Sequence, residues 1–298
     1  MQASELPLRP DGAIYHLAMR PDQASHRCLL VGDPGRVALA EPLLDQIQHR
    51  GANREFVWVT GLFRGVVVTV LGTGIGPDNT EIAVLELDAL HNVDFARGRP
   101  FPTQKKLYLL RLGTCGLLQD EVPLGAAVFS QAAIGVDPLP FFYAGLAEPT
   151  LTAAIREYWE KQGLAPLPWY GAKAGSFFSQ LATKQPASTL PWAVGLTYSA
   201  PGFYAPQGRQ IRTPIAFPSL PDQLANFSYQ GLRVQNIEME TSALYGLAEA
   251  LGHEAGALCL GIAHRKHGTF LYRNGGLSPQ EAMQHLVRLA LEWLSQAP

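Results

Sequence analysis

The sequence RCLLVGDPGR, residues 27–36, joins a short apolar run to a turn that contains glycine and proline. An apolar run of this length that ends in such a turn predicts a buried β-strand. Apolar residues then recur at helical spacing over residues 36–47, which predicts a helix. Strand, tight turn and helix in this order are typical of α/β folds.

The same unit recurs at residues 65–90, where a β-branched strand (65–71) and the turn GTGIGP (72–77) precede a helix (78–90). We expect Asp78 or Asn79 to cap that helix. The remaining predicted elements are strands at 107–110, 126–134, 193–198 and 257–263, and helices at 150–162, at 241–251 and after a capping box at 278–281. Alternation of this kind predicts an α/β fold with helices against a central sheet.

Three proline-containing stretches, at 97–102, 138–149 and 214–221, predict surface loops rather than linkers between domains. The sequence shows no internal repeat or low-complexity tract. We therefore predict a single domain over residues 1–298, with residues 1–14 as a loosely ordered N-terminal segment.

Composition limits the classes of function. The 298 residues are 47% hydrophobic with a net charge of −2, and the basic residues are scattered, so we expect neither a nucleic-acid nor a membrane partner. Cys28, Cys115 and Cys259 are far apart without CxxC spacing, which predicts reduced thiols in a cytoplasmic protein. No signal sequence or apolar stretch long enough to cross a bilayer is found. Chemistry on a small molecule is the remaining expectation.

The sequence RLGTCG, residues 111–116, places Arg111 and Thr114 beside glycines at the end of the predicted strand 107–110. An arginine after an apolar strand is costly to bury unless it meets an anion. A guanidinium and nearby backbone N–H groups suit phosphate or carboxylate. The alternative, an arginine satisfied by local carbonyls, remains open from this stretch alone. A second arginine, Arg36, follows the first glycine turn, and the two turns together favour phosphate.

Several other sites are not supported. The turn GTGIGP has a proline at the position where a dinucleotide-binding fingerprint would continue. The sequence also has no GxxxxGK[ST] motif of a P-loop, no GxSxG motif of a serine hydrolase and no HExxH motif of a zinc peptidase. The eight histidines lack metal-ligand spacing, so we expect no metal.

Five segments together resemble the nucleoside phosphorylase family, and among its members those that act on uridine. These segments are GDPGR (32–36), NREF (53–56), TGIGP (73–77), RLGTCG (111–116) and EMET (238–241). The resemblance runs from about Tyr15 to the C-terminal helix. It implies a central twisted, mixed sheet or distorted barrel flanked by helices, and a pentosyltransferase that converts a nucleoside and phosphate to base and pentose 1-phosphate.

The resemblance also implies roles for individual residues. Phosphate would be bound by Gly32, Arg36, Arg111 and Thr114, with Arg54 from a neighbouring subunit. The ribose would be bound by Glu238, Met239 and Glu240, with His16 from the neighbouring subunit on the 5′ hydroxyl. The base would be bound by Phe203, Gln207 and Arg209. The residues that act in catalysis would be Arg209, Gln207 and Glu240, in a homo-oligomer built from dimers, a hexamer by resemblance.

Elementary chemistry agrees with these roles. Cleavage of an N-glycosidic bond builds positive charge on the ribose and negative charge on the departing base. Phosphate is the nucleophile and the anion beside the ribose, while Gln207 and Arg209 suit the polar edge of uracil. No cofactor other than this co-substrate is required, and a monovalent cation near Glu55 remains open.

Alternatives remain. Ala263-His264-Arg265-Lys266 has no carboxylate of the kind that purine-specific relatives use, which favours a pyrimidine. Asp78 adds a carboxylate near the turn expected to bind phosphate. The long loops 97–104 and 138–149 would alter the mouth of the site or the contacts of an oligomer, and 264–276 is either a moving lid or a polar loop. A purine nucleoside phosphorylase, a nucleosidase and a nucleoside-binding protein without turnover are the rival functions. Each site residue also has an ordinary structural interpretation, as a surface charge or a packed aromatic ring.

Overall fold

The computed structural model describes residues 2, 4–163, 167–184, 190–271 and 278–298. Within them the strands are β1 Arg27–Val31, β2 Gln46–Asn53, β3 Phe56–Phe63, β4 Val66–Gly72, β5 Val93–Asp94, β6 Arg99–Pro100, β7 Tyr108–Leu117, β8 Ala127–Gly135, β9 Tyr170–Lys173, β10 Trp192–Ser199, β11 Ser228–Tyr229, β12 Leu232–Glu238, β13 Glu254–His264 and β14 Thr269–Phe270. The helices are α1 Gly35–Ala40, α2 Pro77–Asn92, α3 Pro149–Lys161, α4 Ser176–Thr183, α5 Leu220–Asn226, α6 Thr241–Ala250 and α7 Pro279–Ser295.

A five-stranded barrel lies at the centre of the fold. Strands β7, β12, β10, β8 and β13 pair in a closed ring, and β1, β4, β3 and β2 extend the sheet outward from β7. The β13–β7–β1–β4 pairs and the β8–β10–β12 pairs are parallel, whereas β12–β7 and β13–β8 are antiparallel. The mixed α/β barrel implied by the family resemblance is therefore confirmed.

Helices cover both faces of the sheet extension. Helix α7 packs its apolar face, including Leu286, Ala290 and Trp293, into a core with β1, β4, β7 and β13. Helices α2 and α6 contribute to a second core on the other side. The predicted capping box of α7 is confirmed, because Ser278 accepts from the Glu281 backbone N–H and Glu281 accepts from the Ser278 N–H.

The structure corrects the predicted helix at 36–47. Helix α1 ends at Ala40, a 3-10 turn follows at Glu41–Leu43, and β2 already begins at Gln46. Pro42 has no N–H and prevents continuation of the helical ladder. The apolar spacing came from residues that pack on the core from the turn and from β2, including Leu43 and Ile47.

Two further corrections concern turns. The predicted turn at 111–116 is part of β7, which runs on to Leu117. The glycines that suggested a turn are needed there because Arg111 lies over Gly113 and Arg265 lies over Gly116. Helix α2 is capped at Gly76, not at Asp78 or Asn79, because Pro77 takes the first helical position, where its missing N–H costs nothing.

The N-terminal segment lies against the body of the protein. Leu8 forms an isolated β-bridge with Ile14, and Ile14 is fully buried in the core beneath α2. Among the described residues, the helices are too short or too polar to cross a membrane.

Candidate active site

A cavity of about 230 Å³ opens where the carboxyl ends of β1, β7, β12 and β13 meet. Ligands of open α/β sheets bind at such ends. The cavity is lined by Gly32, Asp33, Arg36, Ile75, Arg111, Thr114, Cys115, Gly116, Phe203, Gln207, Arg209, Ile237, Glu238, Met239, Glu240, Ile262, Ala263 and Phe270. All of the predicted site residues are among them except Arg54 and His16.

Arg111 lies at the centre of a buried charge cluster. Its Nη1 is 3.1 Å from Glu238 Oε2 and donates to Cys259 Sγ at 3.2 Å, while its Nη2 donates to Glu240 Oε2. Burial opposes its charge, but attraction from Glu240 and then Glu238 outweighs burial, so the pKa of Arg111 is raised. Arg111 is thus permanently charged, and it retains donors for a ligand beyond those used by the two carboxylates.

Backbone N–H groups hold the two carboxylates. Glu238 accepts from the N–H groups of Glu240 and Thr241 at 3.0 and 3.1 Å and from Ser199 Oγ at 2.5 Å. Glu240 Oε1 accepts from the Gly76 N–H at 2.7 Å. Burial raises the pKa of Glu240, and Arg111 opposes this rise. Each oxygen can accept more than one hydrogen bond, so Glu240 can still receive hydroxyl donors.

The backbone of β7 makes room for Arg111 at Gly113. A Cβ at this position would overlap the Arg111 guanidinium. Because Arg111 is held by Glu238 and Glu240, it cannot move without breaking ion pairs.

We predict that Gly113→Ala displaces Arg111 and lowers the rate of the phosphate-dependent reaction that the family resemblance implies by about 100-fold, the usual cost of moving a positioned group by about 1 Å. Steady-state kinetics at varied phosphate concentration would measure this, with circular dichroism to confirm the fold. Unchanged kinetics in folded Gly113→Ala would show that Arg111 is not positioned in this way.

Arg36 brings a second guanidinium to the same end of the cavity. It donates to the Leu112 carbonyl at 3.3 Å from the first turn of α1. Burial, and then the charge of Arg111, lower the pKa of Arg36. Two cations brought this close favour an anion between them, and Thr114 and the backbone beside Gly32 add polar groups to the same wall.

The loop after β10 forms the other polar wall. The Arg209 guanidinium donates to the Phe203 carbonyl at 2.7 Å and to Gln207 Oε1, and it lies 4.0 Å from the centroid of the Phe203 ring. Burial, and then the charge of Arg265, lower the pKa of Arg209 to about 10, so it remains charged at neutral pH. A base that stacks on Phe203 must use the other face of the ring or displace this guanidinium.

Arg265 packs behind the cavity wall, where the sequence reasoning did not place it. It follows β13, lies over Gly116 in the cavity wall and donates to the Gln207 carbonyl at 2.8 Å. Its Nε is buried without a partner among the described residues, and burial lowers its pKa. The sequence placed Arg265 only within the segment 264–276, interpreted as a moving lid or a polar loop, and did not connect it with the distant loop 203–209.

The family follows from a match to almost the whole fold. The model of the phosphorylase superfamily matches residues 26–289, which include every element that lines the cavity. The chain belongs to the phosphorylase superfamily.

Several known phosphorylases are similar over nearly the full chain. The uridine phosphorylase of Thermococcus kodakarensis is 28% identical over 98% of this chain and 91% of its own length. A DeoD-type purine nucleoside phosphorylase of Roseobacter denitrificans is 25% identical over 93% of this chain and 97% of its own. The solved nucleoside phosphorylase of Trypanosoma brucei, which shows uridine phosphorylase activity, has a TM-score of 0.86 at 29% identity and covers 98% of this chain and 100% of its own.

Two predicted site residues of this phosphorylase lie outside its own cavity. Arg54 occupies the exposed two-residue turn between β2 and β3, where its Nη2 donates to Tyr15 Oη at 3.2 Å. His16 Nδ1 lies 2.6 Å from Glu86 Oε1, and the His16 carbonyl accepts from Asn53 at 2.8 Å. Both residues therefore belong to one surface region beside the β2–β3 turn.

Other sequence features are also absent from the cavity wall. Asp78 faces a separate groove that includes Glu81 and Tyr143. The loops 97–104 and 138–149 contribute no residue to the wall of the cavity, so the expected effect on its mouth is not found. Of the segment 264–276, His264 ends β13, residues 265–268 form a turn and 269–270 form the short strand β14, whereas 272–276 are outside the described residues.

Proposed function

We propose that this phosphorylase cleaves uridine with inorganic phosphate to give uracil and ribose 1-phosphate. One observation carries the proposal: a single cavity combines Arg36 and Arg111 with the carboxylate of Glu240 and with the Gln207–Arg209 pair. These are the groups needed for an anionic nucleophile, a ribose and a departing base. The uridine phosphorylase of Haemophilus influenzae, 26% identical over 85% of this chain and 86% of its own length, adds support.

The phosphate end supplies the nucleophile. Arg36, Arg111, Thr114 and the backbone beside Gly32 bind phosphate, and an anion next to the ribose stabilises the positive charge that develops at C1′. Glu240 accepts hydrogen bonds from the ribose hydroxyls, and Met239 packs against the sugar. A phosphate oxygen forms the new bond to C1′ as the bond to the base breaks.

The base end stabilises the leaving group. The electron pair of the broken bond passes to uracil, whose oxygens accept from Arg209 and from the amide of Gln207. Among the described residues of 262–271, Ile262, Ala263 and Phe270 line the cavity, and they bring no carboxylate to the base. This supports a pyrimidine, which leaves without protonation by an acid, over a purine.

The two guanidiniums at the phosphate end favour phosphorolysis over hydrolysis by water. Release of uracil from uridine, followed with and without phosphate, tests this, with inosine as the comparison substrate. We expect release that depends on phosphate and is much faster from uridine. Equal release of uracil without phosphate would support a nucleosidase, and faster release of base from inosine would support a purine nucleoside phosphorylase. Tight binding of uridine without release of uracil would support a binding protein. Each of these results would overturn the proposal.

We further propose a cytoplasmic homo-oligomer built from dimers, a hexamer, in which Arg54 and His16 complete a neighbour's cavity. The support is that Arg54 is exposed at a turn outside its own cavity, although the family resemblance assigns it to phosphate. Arg54→Ala and Arg209→Ala should each have strongly reduced activity alone. We expect their mixture to gain activity after subunit exchange, because each mixed dimer contains one intact site. No recovery, or an active monomer on sizing, would contradict shared sites.

A further inference from the structure

Three side chains beside the cavity form a cluster that the proposed reaction does not use. One nitrogen from each of His264 and His267 and a carboxylate oxygen of Asp120 lie within 4.8 Å of one another. We propose that this cluster binds a divalent transition metal of the zinc class. The proposal reverses the expectation from the sequence that no metal binds. Spacing along the chain could not reveal the cluster, because Asp120 is far from the two histidines in the sequence.

His264 has one ring nitrogen free to bind a metal. It ends β13, is 5% exposed, and its Nε2 lies 3.1 Å from the Gln119 carbonyl. A carbonyl can only accept, so Nε2 carries the proton and Nδ1 of the neutral ring holds the lone pair. Nδ1 is buried and has no hydrogen-bond partner among the described residues. A histidine that donates one N–H to a carbonyl is the usual arrangement of a metal-bound imidazole.

The other two ligands come from the turn after β13 and the loop after β7. His267 lies in the turn after β13, its ring centroid is 4.2 Å from that of His264, and its Nε2 is 2.9 Å from Asp120 Oδ1. Asp120, in the loop after β7, is half exposed and also accepts from Lys266 through Oδ2. Oδ1 is therefore the oxygen on the histidine side. Two imidazoles, one carboxylate and a water make a tetrahedral set suited to zinc or cobalt and not to magnesium or calcium.

Metal bound here would tie together segments that also form the cavity. The loop after β7, the end of β13 and the turn that leads to β14 would share one ion, and these segments carry Arg265 and Phe270. The ion would hold this turn against β7 by bonds that do not exist in its absence. The proposal concerns binding and is independent of the reaction assigned to the cavity.

The test is binding of Zn²⁺ by calorimetry and of Co²⁺ by visible absorption, both with the full-length protein. We expect one ion per chain and a tetrahedral cobalt spectrum. Asp120→Asn and His267→Ala should each weaken binding at least about tenfold. Both residues are half exposed, so the fold should tolerate these changes. His285→Ala removes an exposed histidine of α7 and should bind as the unchanged protein does.

Hydrogen exchange of residues 264–271 provides a second measurement. We expect Zn²⁺ to slow exchange there in the unchanged protein and in His285→Ala, but not in His267→Ala. Absence of saturable binding, equal loss in all three variants, or binding without slowed exchange would overturn the proposal. A failure of uridine phosphorolysis would leave these readouts unaffected, so the two proposals fail separately.

Discussion

Replacement of Arg209 by alanine is expected to lower the turnover of uridine about 100- to 1,000-fold, the usual cost of removing one preorganised donor to a developing anion. Arg209 brings a charged guanidinium to the base end of the cavity and fixes the Gln207 amide through its oxygen. Without Arg209 the departing uracil loses charge stabilisation, and the Gln207 amide is no longer held in one orientation. The proposed phosphate end, with Arg36 and Arg111, lies elsewhere in the cavity, so phosphate binding should change little.

The matched control is Arg212→Ala. Arg212 is exposed three residues further along the chain and lies outside the cavity wall, so turnover should be unaffected. Rates of uracil release and calorimetric titration with phosphate would compare the two variants. If Arg209→Ala kept full turnover, the base-recognition role would have to be abandoned.

Replacement of Arg111 by methionine is expected to destabilise the fold by about 3–5 kcal/mol, the usual cost of leaving a buried charge without its partner. Glu238 and Glu240 are only 3% and 5% exposed, and both depend on this guanidinium. By contrast, Arg233→Met breaks an exposed pair with Glu121 and should cost less than about 1 kcal/mol. Urea unfolding of both variants would measure the difference in the free energy of unfolding.

The deficit of Arg111→Met should depend on pH. Burial already raises the pKa of Glu240, and removal of Arg111 raises it further. A carboxyl whose pKa is higher in the folded state adds stability below its unfolded pKa and loses it as the pH rises through the folded pKa. The deficit relative to the unchanged protein should therefore be small near about pH 4 and grow towards neutrality.

Replacement of the two carboxylates by neutral amides provides the control for this electrostatic interpretation. Arg111→Met combined with Glu238→Gln and Glu240→Gln removes the unpaired charges and should recover much of the lost stability. A deficit that is independent of pH and persists in the combined variant would indicate lost packing rather than unpaired charge.

Much of the architecture could be predicted from local pattern. The strand and helix that flank residues 72–77 need only β-branched residues, glycine and helical spacing, and they occur as β4 and α2. Strand β12 was missed because buried polar residues such as Asn236 interrupt the apolar pattern by which a strand is recognised in the sequence. The error at 111–116 has a related cause, since its glycines serve the side chains of Arg111 and Arg265 and not the backbone of a turn.

The sequence by itself determined the α/β class and placed Arg36 and Arg111 at strand ends of one anion site, because short apolar strands followed by glycine and arginine indicate both the fold and the charge of its ligand. The other predicted residues of the cavity came from the family resemblance. Only the tertiary structure decided that Arg111 joins two buried carboxylates, that Arg265 contacts Gln207, and that Asp120 meets two histidines. These contacts depend on the closure of the barrel, which brings β7, β12 and β13 together across more than a hundred residues of chain. The apolar run and glycine turn at 27–36 thus indicate a phosphate-binding strand end, but its partners come from distant strands.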